Sequence, residues 1–321
     1  MPPILDRLLA SPEPSIRYKA LTGLQGKTRR SPAVRAVMEE VRCSPRVATL
    51  LSERGADGTL PFHPYTKWYG AHWVLPTLAD LGYPPGDEGL IPLREQCYGW
   101  LLSPRHTNRV EQIEGRWRRC GSQESNLAWA LLTLGIADEC TGELVRNLLR
   151  WRFPDGGWNC DRNPSADTSS FHETHLPVRA LALWAKLKGD EEALAAAREA
   201  AGVFLCRGMF RRRTDGAVMD DRFLQLKYPH YWRYDILAGL RAMAEAGLIG
   251  DPRCAEALDW LESRRLPDGG FPADERCYKV TTKTTATGSA TSRVDWGGAS
   301  RTRMNEWVTA EALWVLKEAG R

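Results

Sequence analysis

Two cysteines and two histidines are the residues of this sequence best suited to hold a metal ion. Cys120, Cys160, His172 and His230 each precede or open a run of apolar residues that predicts an inner helix. Zn²⁺ prefers thiolate and imidazole ligands, whereas magnesium and calcium prefer oxygen. The separations along the chain are far longer than in a zinc finger, so the site requires these helices to begin side by side. We expect Cys120, Cys160 and His172 to bind one Zn²⁺, with His230 as the fourth ligand or a close neighbour.

The same residues have simpler explanations that stay open at this point. Histidines beside turns often cap helices, and free cysteines often act as small buried hydrophobic residues. Asp161, His175 or Asp235 could replace one of the ligands or orient it through a hydrogen bond. If a metal ion binds here, an open coordination position on it would hold a thiolate or a water for reaction.

Three aspartates are candidate catalytic groups: Asp220, Asp221 and Asp235. Paired carboxylates at a cavity can act as an acid of raised pKa or bind a cation. Asp220 and Asp221 are equally well explained as an exposed pair in a loop. Asp155 and Asp268 each precede two glycines, and in such turns aspartate accepts hydrogen bonds from its own backbone. We therefore assign Asp155 and Asp268 to structure.

Ring-bearing side chains are the candidates for substrate binding. The sequence holds 13 tryptophans, and tryptophan usually lines a large core or an aromatic pocket. The candidates are Trp68, His72, Trp73, Trp158, Tyr231 and Trp232. Such rings can line an apolar cavity and stabilise a cationic intermediate. Core packing is the competing explanation for at least half of them.

A repeated pattern predicts the elements that carry these residues. A turn signal, a polar or aromatic stretch and an apolar run recur with a period of about 50 to 60 residues. The apolar runs predict inner helices and lie at residues 68–81, 127–134, 175–184, 232–248 and 307–316. Amphipathic segments predict outer helices and lie at residues 88–102, 141–151, 190–204 and 252–264. Because a helical hairpin cannot bury its faces alone, the hairpins must stack as an open solenoid or a closed ring.

We predict an all-α fold with one domain over residues 1–321, an α/α toroid of five to six helical hairpins. Residues 1–51 add one hairpin, with Ser15 as a candidate helix cap. Residues 271–302 are rich in threonine, serine and glycine and show no helical period. A segment of this kind is typical of a lid or binding loop, so we expect an irregular insertion at the cavity mouth. At least one glycine in each of the pairs 156–157 and 269–270 should have positive φ.

Composition and charge narrow the setting of the protein. The chain carries 44 basic and 40 acidic residues, a net charge of +4 that is too mild to indicate nucleic acid by itself. Arginine clusters at residues 116–119 and 211–213 keep nucleic-acid binding open as a minor alternative. No apolar stretch is long enough for a membrane span, and residues 1–9 carry no secretory pattern. We therefore expect a cytoplasmic protein whose eight cysteines are thiols or metal ligands.

Several strings of this sequence resemble a known family. Pro-Asp-Gly-Gly-Trp at residues 154–158 and Pro-Asp-Gly-Gly-Phe at 267–271 are similar to turns in squalene-cyclase and prenyltransferase β-subunit repeats. Four further strings resemble small bacterial squalene-cyclase-like proteins, at residues 65–68, 157–160, 169–172 and 232–235. The resemblance covers roughly residues 50–321. It implies a ring of helical hairpins with the inner-helix N-termini around one mouth.

The resemblance also implies an enzyme that acts on an isoprenoid or another bulky apolar substrate in a central cavity. In such an enzyme a zinc ion could assist the reaction. Class II terpene cyclases carry an Asp-x-Asp-Asp acid, whereas residues 218–221 read Val-Met-Asp-Asp, so cyclisation does not carry over. The zinc site of prenyltransferase β subunits is not reproduced in order either. Two alternatives stay open: a non-catalytic toroid that binds a hydrophobic ligand or peptide, and a helical-repeat protein that binds nucleic acid. The second rests on residues 15–21, which resemble HEAT-type helices.

Overall fold

The computed structural model of the protein describes residues 3–281 and 290–321. Most of these residues are helical, which confirms the predicted all-α class. The α-helices in these ranges are α1 (Ile4–Leu9), α2 (Pro14–Lys19), α3 (Pro32–Arg42), α4 (Pro45–Leu51), α5 (Ala71–Leu81), α6 (Ile91–Leu101), α7 (Pro104–Thr107), α8 (Gly121–Thr133), α9 (Glu139–Arg150), α10 (Phe171–Lys188), α11 (Glu191–Leu205), α12 (Ile236–Glu245), α13 (Ala255–Ser263) and α14 (Glu306–Glu318). The short strands are β1 (Glu111–Ile113), β2 (Arg116–Arg118), β3 (Pro272–Ala273), β4 (Lys279–Val280), β5 (Thr291–Ser292) and β6 (Ser300–Met304).

Helices α5, α8, α10, α12 and α14 are buried over most of their length, as their apolar runs predict. A helix that is apolar on all sides must be covered by neighbours on all sides. Accordingly α5 packs on α8, α8 on α10, α10 on α12 and α12 on α14. Helix α14 packs in turn on α2 and on the π-helical turn Ala20–Leu24, and α2 contacts α5.

Four of these buried helices also pack on the helix that follows them in sequence. The pairs are α5 with α6, α8 with α9, α10 with α11 and α12 with α13. Helix α9 starts at a capping box, in which the Asp138 carboxylate accepts hydrogen bonds from the backbone of Cys140 and Thr141. Asp190 caps α11 by accepting from the Ala193 amide, as the sequence predicts. These pairs are the helical hairpins expected from the repeat.

The glycine pairs form the turns that the sequence predicts. Gly156 and Gly269 have φ of 91° and 85°, which confirms one positive φ in each pair. Gly157 is needed for a different reason, since a Cβ there would lie 2.6 Å from Ser169 Oγ. This close approach lets residues 158–160 run along the start of α10, where the Trp158 amide donates to Thr174 Oγ1 at 3.2 Å.

The N-terminal residues 3–51 form four short α-helices, of which α2 packs on α3. A proline opens each of α2, α3 and α4, because proline fits the first helical turn and disrupts a helix interior. The cap of α2 is Glu13, whose carboxylate accepts from the Ser15 amide at 3.1 Å. The assignment of Ser15 as the cap is therefore wrong.

Short strands alternate with irregular stretches in the described parts of the segment 271–302. Strand β3 pairs with β6 in antiparallel fashion, and β4 pairs with β5 in parallel fashion. The buried rings of Phe271, Tyr278 and Trp296 anchor these parts to the helices. Trp296, for example, packs on Trp307 of α14 with 5.7 Å between ring centroids. The central part of the predicted insertion, residues 282–289, lies outside the described residues.

A single large core links α1 to α14, with Leu8 and Leu316 at its two ends in sequence. Within residues 3–281 and 290–321, no helix has both the length and the apolar character required to cross a bilayer.

Candidate metal centre

Three side chains converge where α8 and α10 begin: Cys120, Cys160 and Glu173. Their sulfur and carboxylate oxygen atoms all lie within 4.8 Å of one another, so the group could hold a metal ion. A tetrahedral zinc ion with bonds of about 2.0–2.3 Å needs ligand atoms about 3.3–3.8 Å apart. Small side-chain rotations would therefore bring these three atoms to ligand distance.

Backbone pairing places the two cysteines next to each other. Cys120 is the residue before α8, and Cys160 follows the Gly156–Gly157 turn. Arg118 and Asn159 form a parallel β-bridge, and the Arg119 amide donates to the Asn159 carbonyl at 3.0 Å. The residues that follow this bridge are the two cysteines, which explains how two residues far apart in sequence become neighbours.

Glu173 enters the group from the first turn of α10. Its Oε2 accepts a hydrogen bond from the Ser122 amide at 3.1 Å, across the junction between α8 and α10. Its Oε1 accepts from the Cys160 thiol at 3.7 Å. The side chain is buried, so the carboxylate is held by these contacts and not by solvent.

Burial and mutual proximity raise the pKa of two members of the group, Cys120 and Glu173. The hydrogen bond with Cys160, followed by burial, raises the pKa of the Cys120 thiol far above its usual value. Burial raises the pKa of Glu173. Arg119 is the positive charge that opposes both shifts. A divalent cation would displace the proton of the Cys120 thiol and add positive charge to the group.

Arg119 is fixed beside the group by partners of its own. Its guanidinium forms a buried ion pair with Glu124 of α8 and also donates to Nε2 of His106. Burial, followed by the charge of Arg119, lowers the pKa of His106 to about 4, so this imidazole is neutral at physiological pH. The positive charge near the thiols is thus Arg119 and not a histidine.

Tyr65 is a phenol whose pKa is influenced by all three candidate ligands. Burial raises its pKa to about 12, and the charges of Glu173, Cys120 and Cys160 add to this rise. Its ring packs on His72 and Trp100, with centroid distances of 5.4 and 5.2 Å. Tyr65 therefore stays protonated near the group and can act as a hydrogen-bond donor there.

The two predicted histidine ligands have other partners and do not join the group. His172 Nδ1 accepts from the Tyr234 amide at 2.9 Å, and burial lowers its pKa to about 4. His230 places Nε2 3.1 Å from the Asp235 carboxylate and Nδ1 3.5 Å from Glu311. Cys120 and Cys160 thus come together as predicted, while Glu173 occupies the place expected for His172.

The remaining candidate ligands are tied to local structure. Asp161 is exposed and accepts from the Asn163 amide at 2.9 Å. His175 is buried within α10, and its Nδ1 bonds the Phe171 carbonyl at 3.1 Å.

The three candidate catalytic aspartates lie away from the cysteines. Asp235 is fully buried, caps α12 through the Ala238 amide at 2.8 Å and also accepts from the Lys227 amide at 3.2 Å. Asp220 caps the short 3-10 turn Asp221–Leu224 and pairs with the exposed Arg222. Asp221 is itself exposed. The loop explanation accounts for Asp220 and Asp221, and a capping role accounts for Asp235.

Most of the candidate substrate-binding rings belong to the core. Trp73 stacks on Tyr231 with 3.7 Å between centroids, and Trp68 packs on both rings. Trp158 is fully buried, with its Nε1 donating to the Leu148 carbonyl at 3.2 Å.

His72 and Trp232 lie closer to the metal-binding edge. His72 is buried, and its Nε2 bonds the Gln123 carbonyl of α8 at 2.7 Å. Burial lowers its pKa to about 4. Trp232 is half-buried, with the ammonium of Lys67 5.2 Å from its ring centre. A small cavity touches both side chains together with Tyr65 and Ser122.

A larger cavity of about 590 Å³ lies toward the C-terminal halves of the buried helices. Its lining includes a network of ion-paired side chains: Lys19, Asp80, Arg179, Arg241, Glu245 and Glu311. Burial works against the charge of Arg241, yet Asp80, Glu311 and Glu245 hold its pKa well above the usual value. Apolar periodicity alone did not predict this charged interior.

Glu173 is the candidate ligand that the sequence did not predict. One residue along an α-helix turns the side chain by about 100°, so His172 faces Tyr234 while Glu173 faces α8. A signal was present, since Glu173 is an acidic residue at the start of an otherwise apolar predicted helix. A buried carboxylate is usually paired or coordinates a metal.

Comparison with known proteins gives no family assignment. The chain matches no protein-family profile, and its sequence matches no curated protein.

Proposed function

We propose that this protein is a zinc-dependent hydrolase built on an α/α toroid, with Cys120, Cys160 and Glu173 as its metal ligands. The convergence of these three ligand atoms within 4.8 Å is the observation that carries the proposal. In the described residues no fourth cysteine, histidine or acidic side chain completes the group. Three protein ligands with an open position are characteristic of catalytic zinc sites, whereas structural sites are closed by four.

The order of helix contacts supports the toroid. Helices α5, α8, α10, α12 and α14 contact one another in sequence order, and α2 contacts both α14 and α5. An open solenoid would leave its first and last repeats apart. A closed ring of the buried helices accounts for these contacts. The helix that follows each buried helix then lies on the outside of the ring.

A zinc ion with an open position lowers the pKa of a bound water and so supplies a nucleophile near neutral pH. The chain contributes the rest of the arrangement. The Ser122 amide orients the Glu173 carboxylate, and Arg119 offsets part of the negative charge of the ligands. Tyr65, with its pKa raised to about 12, remains a hydrogen-bond donor to the oxyanion that develops during hydrolysis.

The surroundings of the three ligands favour a polar substrate over the isoprenoid implied by the family resemblance. The buried ion pair of Arg119 and Glu124 lies beside them, and an apolar chain would give it no compensating contact. A non-catalytic toroid that binds a ligand remains the alternative. In the hydrolase, removal of the metal ion also removes turnover. The binding toroid has no turnover to lose.

Metal analysis of the purified chain and its variants tests the proposal. We expect one zinc per chain in the wild type, and loss of zinc in Cys160→Ala and Glu173→Gln. His172→Ala and the exposed-site control Cys206→Ala should keep it. Zinc lost in His172→Ala but kept in Glu173→Gln would overturn the ligand assignment.

Hydrolysis of a panel of chromogenic carboxylate and phosphate esters tests catalysis. Activity should disappear with a chelator, return with added zinc, and be absent in Glu173→Gln. Tyr65→Phe should keep zinc and lower kcat by about 10²–10³-fold, as for other removed oxyanion donors. A zinc-loaded wild type without turnover of any ester would favour the binding toroid.

A further inference from the structure

A groove beside the candidate metal centre presents hydrogen-bond donors and no acid. It has a volume of about 420 Å³ and lies along α6 and α7. The side chains that matter are His63, Trp100, Arg105, His106 and Arg109. Of the described residues, no aspartate or glutamate lines it. A groove of this charge attracts anions and repels cations.

The two arginines of the groove are free to bind a ligand. Arg105 lies on α7 and Arg109 just beyond it, and both are exposed. Neither forms an ion pair with an acid elsewhere in residues 3–281 and 290–321. By contrast, Arg94 and Arg119 on either side of this segment are both paired with glutamates. Guanidinium groups match the two oxygens of a carboxylate or phosphate, which makes these two arginines suitable anion ligands.

The histidines of the groove each have one ring nitrogen fixed as an acceptor. His63 Nδ1 accepts from the Tyr65 amide at 3.1 Å. His106 Nε2 accepts from the guanidinium of Arg119. In a neutral imidazole the other nitrogen then carries the proton, so His63 Nε2 and His106 Nδ1 are donors.

The other polar side chains of the groove are already used. Gln96 Oε1 accepts from the Leu60 amide at 3.2 Å, and its Nε2 donates to the Leu60 carbonyl at 2.6 Å. Ser103 Oγ donates to the Trp100 carbonyl at 2.7 Å. The side-chain groups left for a ligand therefore include two guanidinium groups and two imidazole N–H groups.

The groove and the metal group share their intervening residues. Trp100 packs on His106 and on Tyr65, with centroid distances of 4.9 and 5.2 Å. His106 contacts Arg119, which directly precedes Cys120. One layer of side chains thus separates an anion held in the groove from the three ligands.

We propose that this groove binds the acidic group of the substrate, a phosphate or a carboxylate, and so directs the substrate to the metal centre. The inference rests on the proposed hydrolase function, because the groove anchors what the metal centre is to cleave. Trp100 is half-exposed at the groove and offers a face for the part of the substrate next to the acidic group.

Calorimetric titration of the zinc-loaded full chain with inorganic phosphate and, separately, with acetate tests the groove. We expect one saturable site for at least one anion, with a preference that identifies the acidic group. In Arg105→Gln/Arg109→Gln the Kd should rise about tenfold or more, since two charge-assisted contacts are lost. The matched control Arg301→Gln/Arg303→Gln removes two exposed arginines from β6 and should leave the Kd unchanged.

The outcomes separate the groove from the metal centre. No saturable binding of either anion, or an equal loss of binding in both double variants, would overturn the groove. Loss in Arg105→Gln/Arg109→Gln alone, with zinc content kept, supports it. Phosphate or acetate binding that persists in a zinc-free Glu173→Gln variant supports the groove even where the hydrolase function fails. Binding that does not change in Arg105→Gln/Arg109→Gln overturns it even in an active zinc enzyme.

Discussion

The acidic side chains at the two ends of the buried helices differ in how they are paired with positive charges. Toward the C-terminal ends, each of three guanidinium nitrogens of Arg241 contacts a different carboxylate, at 2.7 to 3.0 Å, on Asp80, Glu311 and Glu245. Toward the N-terminal ends, Cys120, Cys160 and Glu173 share Arg119 as their positive neighbour, and Arg119 is already paired with Glu124.

The difference teaches that the larger cavity and the group that could hold a metal ion lie in different parts of the protein. The cavity of about 590 Å³ is lined by ions that neutralise one another. The group of Cys120, Cys160 and Glu173 is compact, but these acidic side chains have no counter-ion of their own, because Arg119 is paired with Glu124. Buried charges that are paired contribute little net stability but are costly to break, whereas acids without a counter-ion bind protons or metals.

Removing the central cation of the paired end should have the largest effect on stability. Arg241→Met leaves three carboxylates without their shared partner, so the free energy of unfolding should fall by about 3–5 kcal/mol. Urea denaturation of the metal-free chain measures this change.

Arg222→Met is the matched control, because Arg222 also pairs with an aspartate but is exposed. Its effect should be much smaller than that of Arg241→Met, because solvent screens an exposed ion pair. Equal effects of the two variants would mean that the C-terminal network is not held by its pairing.

The pH dependence of zinc affinity tests the cysteine ligands at the N-terminal ends of the buried helices. The pKa of the Cys120 thiol is raised by its hydrogen bond with Cys160 and by burial, so this thiol carries its proton at neutral pH in the metal-free chain. Zinc must displace that proton, and binding should therefore weaken as pH falls, about tenfold per pH unit for this thiol alone. Competition with a chromophoric chelator at pH 8 and pH 6 should give a difference of about a hundredfold or more. An affinity that is flat over this range would contradict ligation by Cys120.

The turn that carries Cys160 into place should show the smallest effect. Gly156→Ala puts a side chain at φ of 91° and a Cβ 2.6 Å from Glu199 Cγ, at a cost of about 1–2 kcal/mol in the free energy of unfolding. Gly202→Ala within α11 has open space around the new Cβ and should stabilise by about 0.5–1 kcal/mol. Thermal unfolding of both variants gives the comparison, and destabilisation by both would point to a general sensitivity to substitution.

Local signals in the sequence were sufficient to predict the helices. Apolar runs and capping aspartates such as Asp190 act within a few residues, so they mark buried helices and their starts. The turn at Gly156 was predicted for the same reason, because positive φ is a local property.

The contacts that complete the site depend on distances between helices. The sequence placed Cys120 and Cys160 at helix starts, but the choice between His172 and Glu173 depends on the rotation of α10 against α8. Arg241 takes two of its partners, Asp80 and Glu311, from the other helices α5 and α14, and no local pattern specifies these two contacts.

The β-bridge between Arg118 and Asn159 has a consequence for how the ion is exchanged. Because the backbone itself aligns Cys120 and Cys160, the ordering entropy of the two thiols is lost when the chain folds and not when zinc arrives. Under the proposed zinc binding, the empty form stays folded, and the ion can enter or leave without unfolding of the chain. Circular dichroism spectra of the chelated and the reloaded chain should therefore superimpose.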